Sequence, residues 1–239
     1  FWLAVRKMAS PSASRWAILL FSSSSLTVWE ARSPQFFQPA LFLIVLALIL
    51  YLGCLEKKTH LKWIGVLTCI VLGCLVDWMG YVFAAGLALH CVLLSPRRWG
   101  AAAMLLITAL FSFGLYLGHV AWVLGRSPIP FLASLASDRM SGGVRLGAMG
   151  TMIRSSFLYI GIIPVLAGIF GLCLRGIAVR SRGILWMILG YGVVSSQVFL
   201  QWTDRHAFVA AWFIFPAFIL AGALGLDQFL HRWKSTRLR

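Results

Sequence analysis

The chain has 239 residues, 61% hydrophobic and only 11% charged, with a mean hydropathy of +0.90 and a formal net charge of +15. A soluble domain has roughly 45 to 50% apolar and about 25% charged residues, so this composition excludes an ordinary soluble fold and points to an integral membrane protein. The 21 Lys and Arg stand in small clusters between apolar tracts and form no basic stripe with interleaved aromatics, which argues against a nucleic-acid partner and assigns the charge to topology and anionic membrane lipids.

In chain order, Phe-Trp-Leu-Ala-Val precedes Arg6 and Lys7 and reads as the end of a span, so the expectation is that residues are missing upstream of Phe1. No secretory signal peptide is visible, because the basic residues follow the first apolar ones. Apolar runs with basic punctuation then predict eight membrane segments, at about 16–29, 38–55, 62–76, 78–94, 99–117, 155–174, 183–200 and 207–226. The first is diluted by Ser22 to Ser25. The period-2 alternation of a barrel is absent. The predicted fold is all-α, a polytopic transmembrane helical bundle forming one domain over residues 1–239.

Between the fifth and sixth segments, Gly118 to Arg154 is too polar to span. It keeps spaced apolar residues (Ile129, Phe131, Leu132, Leu135, then Val144, Leu146, Met149), which predicts one or two interfacial amphipathic helices split by Gly142-Gly143, in an extracytoplasmic loop at 118–154.

Asp77 is the only formally charged residue between Trp63 and Leu94. The tract around it is either one long span or two short helices turning at the acid, and the positive-inside rule separates the two. With a turn at Asp77, 15 Lys and Arg fall inside and 6 outside; with a single span the count is 11 against 10. The hairpin is therefore expected, with a cytoplasmic carboxy terminus. It also sends Glu30, Asp77, Asp138 and Asp204 to the outer face, beside Arg32, Arg139, Arg205 and His206.

Arms of such length cover only about 22 to 26 Å, so the tip lies slightly below the outer surface. Asp77 there suits a cation or a sugar hydroxyl, and Trp78 suits the interface or a sugar ring. The plainer reading is a helix cap with an aromatic anchor. Arg139, Arg145 and Arg154 on an outer face run against the positive-inside tendency, and guanidinium groups suit lipid phosphate or pyrophosphate, with ordinary headgroup contact as the alternative. Arg205 and His206 open the last span, where His binds phosphate or simply anchors by a hydrogen bond.

All five cysteines (Cys54, Cys69, Cys74, Cys91 and Cys173) lie in apolar tracts, without CxxC or a His at metal-ligand spacing. They read as packing residues, and no metal site is expected. His60, His90, His119 and His231 are scattered. Nucleotide loops, GxSxG and HExxH are absent, and no cofactor is evident.

Four stretches carry a family resemblance through nearly the whole chain. LAVRKMASPSASRWAILLFSSSS is similar to a basic loop with a small-residue-Pro step leading into a small-residue-rich span. ARSPQFFQPALFLIVLALILYL resembles an outer loop and the following span, and VDWMGYVFAAGLAL resembles an Asp-Trp hairpin. DRHAFVAAWFIFPAFILAGALGL resembles a late span with a polar-His entrance and an internal proline. Together they resemble the C-superfamily of glycosyltransferases, polytopic enzymes related to protein mannosyltransferases and lipid A aminoarabinose transferases.

The resemblance implies transfer of a sugar from a polyprenyl-phosphate donor to a lipid, glycan or protein acceptor on the non-cytoplasmic face of a bacterial inner membrane. Asp77, Trp78, Arg139, Arg145, Arg205 and His206 are then the candidate residues for substrate and donor phosphate. The family's first outer loop, with the acid thought to act as base or metal partner, would lie upstream of Phe1. The loop at Pro34-Gln35-Phe36-Phe37-Gln38-Pro39 lacks the acid many members have. The chain thus reads as a carboxy-terminal portion whose catalytic base is not assigned, with the upstream part left open for a divalent metal. The competing classes are a transporter or permease subunit with Asp77 on an ion path, and a non-enzymatic membrane assembly protein.

Overall fold

The tract around Asp77 folds as a helical hairpin. In the computed structural model, one helix ends at Val76 and the next begins at Met79. The structure describes residues 2–8, 10–24, 37–56, 59–94, 98–140, 150, 153–154, 156–174, 190 and 207–237, and among these all regular structure is helical.

The elements are α1 (Trp2–Met8), α2 (Pro11–Ser22), α3 (Phe37–Glu56), α4 (His60–Val76), α5 (Met79–Leu94), α6 (Trp99–Leu124), α7 (Ile129–Met140), a π-helical turn (Ser156–Ile160), α8 (Ile162–Cys173) and α9 (Ala207–Arg237). α2 starts by a standard device: Ser10 accepts from the Ala13 N–H at 3.0 Å, and Pro11 fills the first helical position, where its missing N–H costs nothing. α6 ends on Gly125, whose φ of 63° suits a residue without Cβ.

Among the described residues, two helices, from Pro39 to Glu56 and from Trp99 to Leu124, are long and apolar enough to cross a membrane. Three more apolar helices, α4, α5 and α8, are shorter. The expected boundaries of α3, α4 and α5 hold to within about two residues, but four segments differ from the expectation of eight spans.

α2 stops at Ser22, since the serine run that follows offers little apolar surface to bury. α6 continues through Gly118 to Leu124, because His119 is the only polar residue in a last stretch that is otherwise apolar. The segment at 155–174 is broken at Gly161 (φ 99°) into the π turn and the 12-residue α8. α9 runs through His231 to Arg237, because charge marks a membrane boundary without ending a helix. The predicted segment at 183–200 lies outside the described residues, as does Gly142-Gly143. α7 supplies one helix of the expected interfacial stretch.

Packing falls into two parts. α3, α4, α5 and α6 form one group, and α2, α8 and α9 form the other. In the second, glycines allow backbones to touch: a Cβ on Gly171 would collide with the Ala221 carbonyl, and one on Gly168 with Phe218. Residues 168 and 171 thus meet 218 and 221, so α8 and α9 run parallel, while α2 runs against α9 with Phe21 and Phe215 rings 5.4 Å apart. In the first group, Ser112 Oγ donates to the Val71 carbonyl at 3.1 Å, which sets α6 parallel to α4.

Candidate functional site

The bundle has two polar ends. At one, Lys7 pairs with Glu56 at 3.2 Å, and Ser10 Oγ donates to Asp227 Oδ2 at 2.7 Å. His231 Nε2 stands 3.9 Å from the other Asp227 oxygen. α1, α2, α3 and α9 are joined there. The Asp77 turn lies at the opposite end of α4, one helix length away.

That turn is built by its own backbone. The Asp77 N–H donates to the Gly73 carbonyl at 3.0 Å, and the Gly80 and Tyr81 N–H groups donate to the carbonyls of Asp77 and Trp78 at 3.1 and 3.0 Å. Asp77 Oδ1 accepts from the Met79 N–H at 3.0 Å, so the acid does cap α5. Gly80 is required because a Cβ there would run into the backbone of Gly73 and Cys74. Trp78 is half-buried and packs on the core.

Burial pushes the Asp77 carboxyl above the usual carboxylate range, and the Met79 N–H opposes this. Among the described residues, no cation lies at ion-pair distance from it. A carboxylate capped on one oxygen, without a counter-ion, can accept a hydrogen bond from a hydroxyl or take up a cation.

α6 rises past this turn. With Ser112 level with Val71, Asp77 is level with Gly118, and the helix continues for about 9 Å to Leu124. Aromatics follow its length: Tyr81 meets Phe113 edge-on at 6.0 Å, Phe113 stacks on Tyr116 at 6.4 Å, and His119 lies 6.1 Å from Trp122. Sequence reading left this wall unnoticed. Its signal is aromatic or His at every third position from 113 to 122.

Of the other predicted site residues, Arg139 falls within α7. Arg145, Arg205 and His206 lie outside the described residues, as do Glu30, Arg32 and Asp204. The structure therefore brings together Asp77 and Trp78 alone from the predicted set.

A second polar cluster, also missed from sequence, lies between α3 and α5 toward the other end. Tyr51 Oη is 2.7 Å from His90 Nδ1 and 3.3 Å from Cys91 Sγ, and all three residues are buried. The ring of Trp63 meets Tyr51 edge-on at 6.2 Å. Such interhelical bonds hold helices together in apolar surroundings and contribute roughly 0.6 to 1.7 kcal/mol. Among the described residues, no group of three or more His, Cys, Asp and Glu converges to hold a metal ion.

No family model matches the chain, and neither a curated protein nor a solved structure is significantly similar to it.

Proposed function

We propose that the chain is part of a multi-pass membrane glycosyltransferase that moves a sugar from a polyprenyl-phosphate donor to a lipid, glycan or protein acceptor on the non-cytoplasmic face. The observation that carries this reading is the Asp77–Trp78 turn, an acid without an ion-pair partner among the described residues beside an aromatic, at the end of the bundle opposite the Lys7–Glu56 pair.

The membrane part of the reading rests on α6. Trp99 and Trp122 are exposed and 23 residues apart, about 35 Å along a helix, which matches the distance between the two interfacial aromatic belts. Within the span only 22% of α6 is buried by the described protein, against 44% for α3, which supports α6 as a helix that faces lipid. The charge count supports a cytoplasmic side for Lys7, Glu56 and Asp227, with the carboxy terminus; a bacterial inner membrane is part of the proposal.

In this scheme Asp77 orients a sugar hydroxyl and Trp78 flanks the ring. Arg139, Arg145, Arg205 and His206 offset the charge that grows on the departing lipid phosphate. No residue of this chain is assigned as the base that deprotonates the acceptor.

The test is transfer from a labelled polyprenyl-phosphate sugar by the full-length protein in proteoliposomes, with Asp77→Asn, Arg139→Ala and His206→Ala alongside. Loss in at least Asp77→Asn and one cationic variant supports the assignment; unchanged transfer in all three removes it. Absence of transfer, together with solute uptake that Asp77→Asn abolishes, favours the transporter reading. Neither transfer nor uptake leaves the assembly protein.

A further inference from the structure

At the corner between α6 and α7 a cavity of about 400 Å³ is lined by Leu124, Arg126, Ser127, Pro130 and Phe131. Two of these residues are polar and donate. Arg126 is exposed, and among the described residues no carboxylate pairs with it. Ser127 Oγ accepts from the Ile129 N–H at 3.4 Å, which leaves its own O–H free to point elsewhere. The other three residues form an apolar wall.

Depth decides what such a notch meets. α6 has 26 residues, about 39 Å of helix, while a hydrocarbon core takes about 30 Å. Arg98 and Trp99 mark the near boundary, so the excess of about 9 Å emerges at the α7 end, within the headgroup layer. Arg126 therefore stands at the level of the lipid phosphates. It also follows the end of α6, whose Leu124 is about 9 Å further along than the level of Asp77 by helix rise. A soluble anion would have no use for Leu124, Pro130 and Phe131.

We propose that this notch seats the phosphodiester headgroup of a membrane phospholipid, with Arg126 and Ser127 on the phosphate and the start of an acyl chain along Leu124 and Phe131. The proposal rests on the membrane orientation given above and is independent of sugar transfer. It gives α7 a fixed place on the bilayer surface, since the lipid joins the end of α6 to the first turn of α7.

Fractionation of the full chain with membranes comes first, because failure there removes the orientation itself. Detergent-purified, delipidated protein is then titrated with phosphatidylglycerol, and retention is read by native mass spectrometry. The comparison arms are diacylglycerol with the same acyl chains and inorganic phosphate as competitor. Retention of phosphatidylglycerol is expected, falling roughly tenfold in Arg126→Ala, the usual effect of deleting a charge-assisted contact. Arg126→Lys should keep part of it, because one ammonium replaces a planar fork. Arg126→Gln, which changes only an exposed side chain, provides the same reading should the alanine variant not purify. Equal retention in wild type and both uncharged variants overturns the proposal. So does equal retention of diacylglycerol, which would make the site apolar only, or full displacement by inorganic phosphate, which would make the occupant a soluble anion.

Discussion

The acids at the two ends of the bundle are held in opposite ways. Asp227 accepts from Ser10 and faces His231, and Glu56 pairs with Lys7. Among the described residues, Asp77 has only the Met79 N–H and a half-buried setting. A carboxylate with side-chain partners from another helix is a fastening, and its value is stability. One held only by its own turn adds little to stability and keeps its bonding capacity for something else. The difference sets Asp77 apart from Glu56 and Asp227 in a chain that has only six Asp and Glu in all, and it is the basis of the functional proposal for Asp77.

The contrast can be broken from either side. The largest effect is expected from Gly80→Val, which forces the arms of the hairpin apart at Cys74. Overpacking of this kind costs about 1–3 kcal/mol or more, read as a lower unfolding temperature in detergent together with loss of transfer. Asp227→Ala should cost about 1–2 kcal/mol, because it leaves the Ser10 hydroxyl without its acceptor where α2 begins. Transfer per folded molecule should not change. Asp77→Asn reverses the pattern: unfolding shifts by less than about 0.5 kcal/mol, while transfer falls roughly tenfold as one charged hydrogen bond to substrate is weakened. Lys7→Ala should move stability by no more than about 0.5 kcal/mol, since both partners are a third or more exposed.

The smallest effect is the pH dependence contributed by Asp77. Its folded carboxyl holds a proton more tightly than the ordinary value of 3.8 implies. The stability this contributes is fully present below that value and is lost as pH rises through the folded one. Unfolding scans of wild type and Asp77→Asn should therefore diverge across the acidic range just above 3.8 and run parallel at neutral pH.

Much of the bundle was legible in the sequence, for a physical reason. α3, α4 and α5 are apolar runs closed at each end by charge, Pro or Gly, and the distribution of Lys and Arg favoured a turn at the lone acid over a single long span. α6 and α9 were read too short because polarity was equated with helix termination; His119 and the basic tail from His231 continue their helices. The break at Gly161 was not visible because glycine within an apolar run is also what close helix packing needs, as at Gly171. Of the candidate site, Asp77 was found by its isolation in sequence. The Tyr51–His90–Cys91 cluster joins residues 39 and 40 positions apart on separate helices, and no local pattern announces such a meeting.

The central claim is that Asp77 and Glu56 face opposite sides of the membrane. It is tested most directly by adding a membrane-impermeant maleimide to intact cells that carry Asp77→Cys or Glu56→Cys, in a Cys173→Ser background because Cys173 is exposed. The account predicts labelling at position 77 from outside, and at position 56 only after permeabilisation. Labelling of both positions from the same side would contradict it.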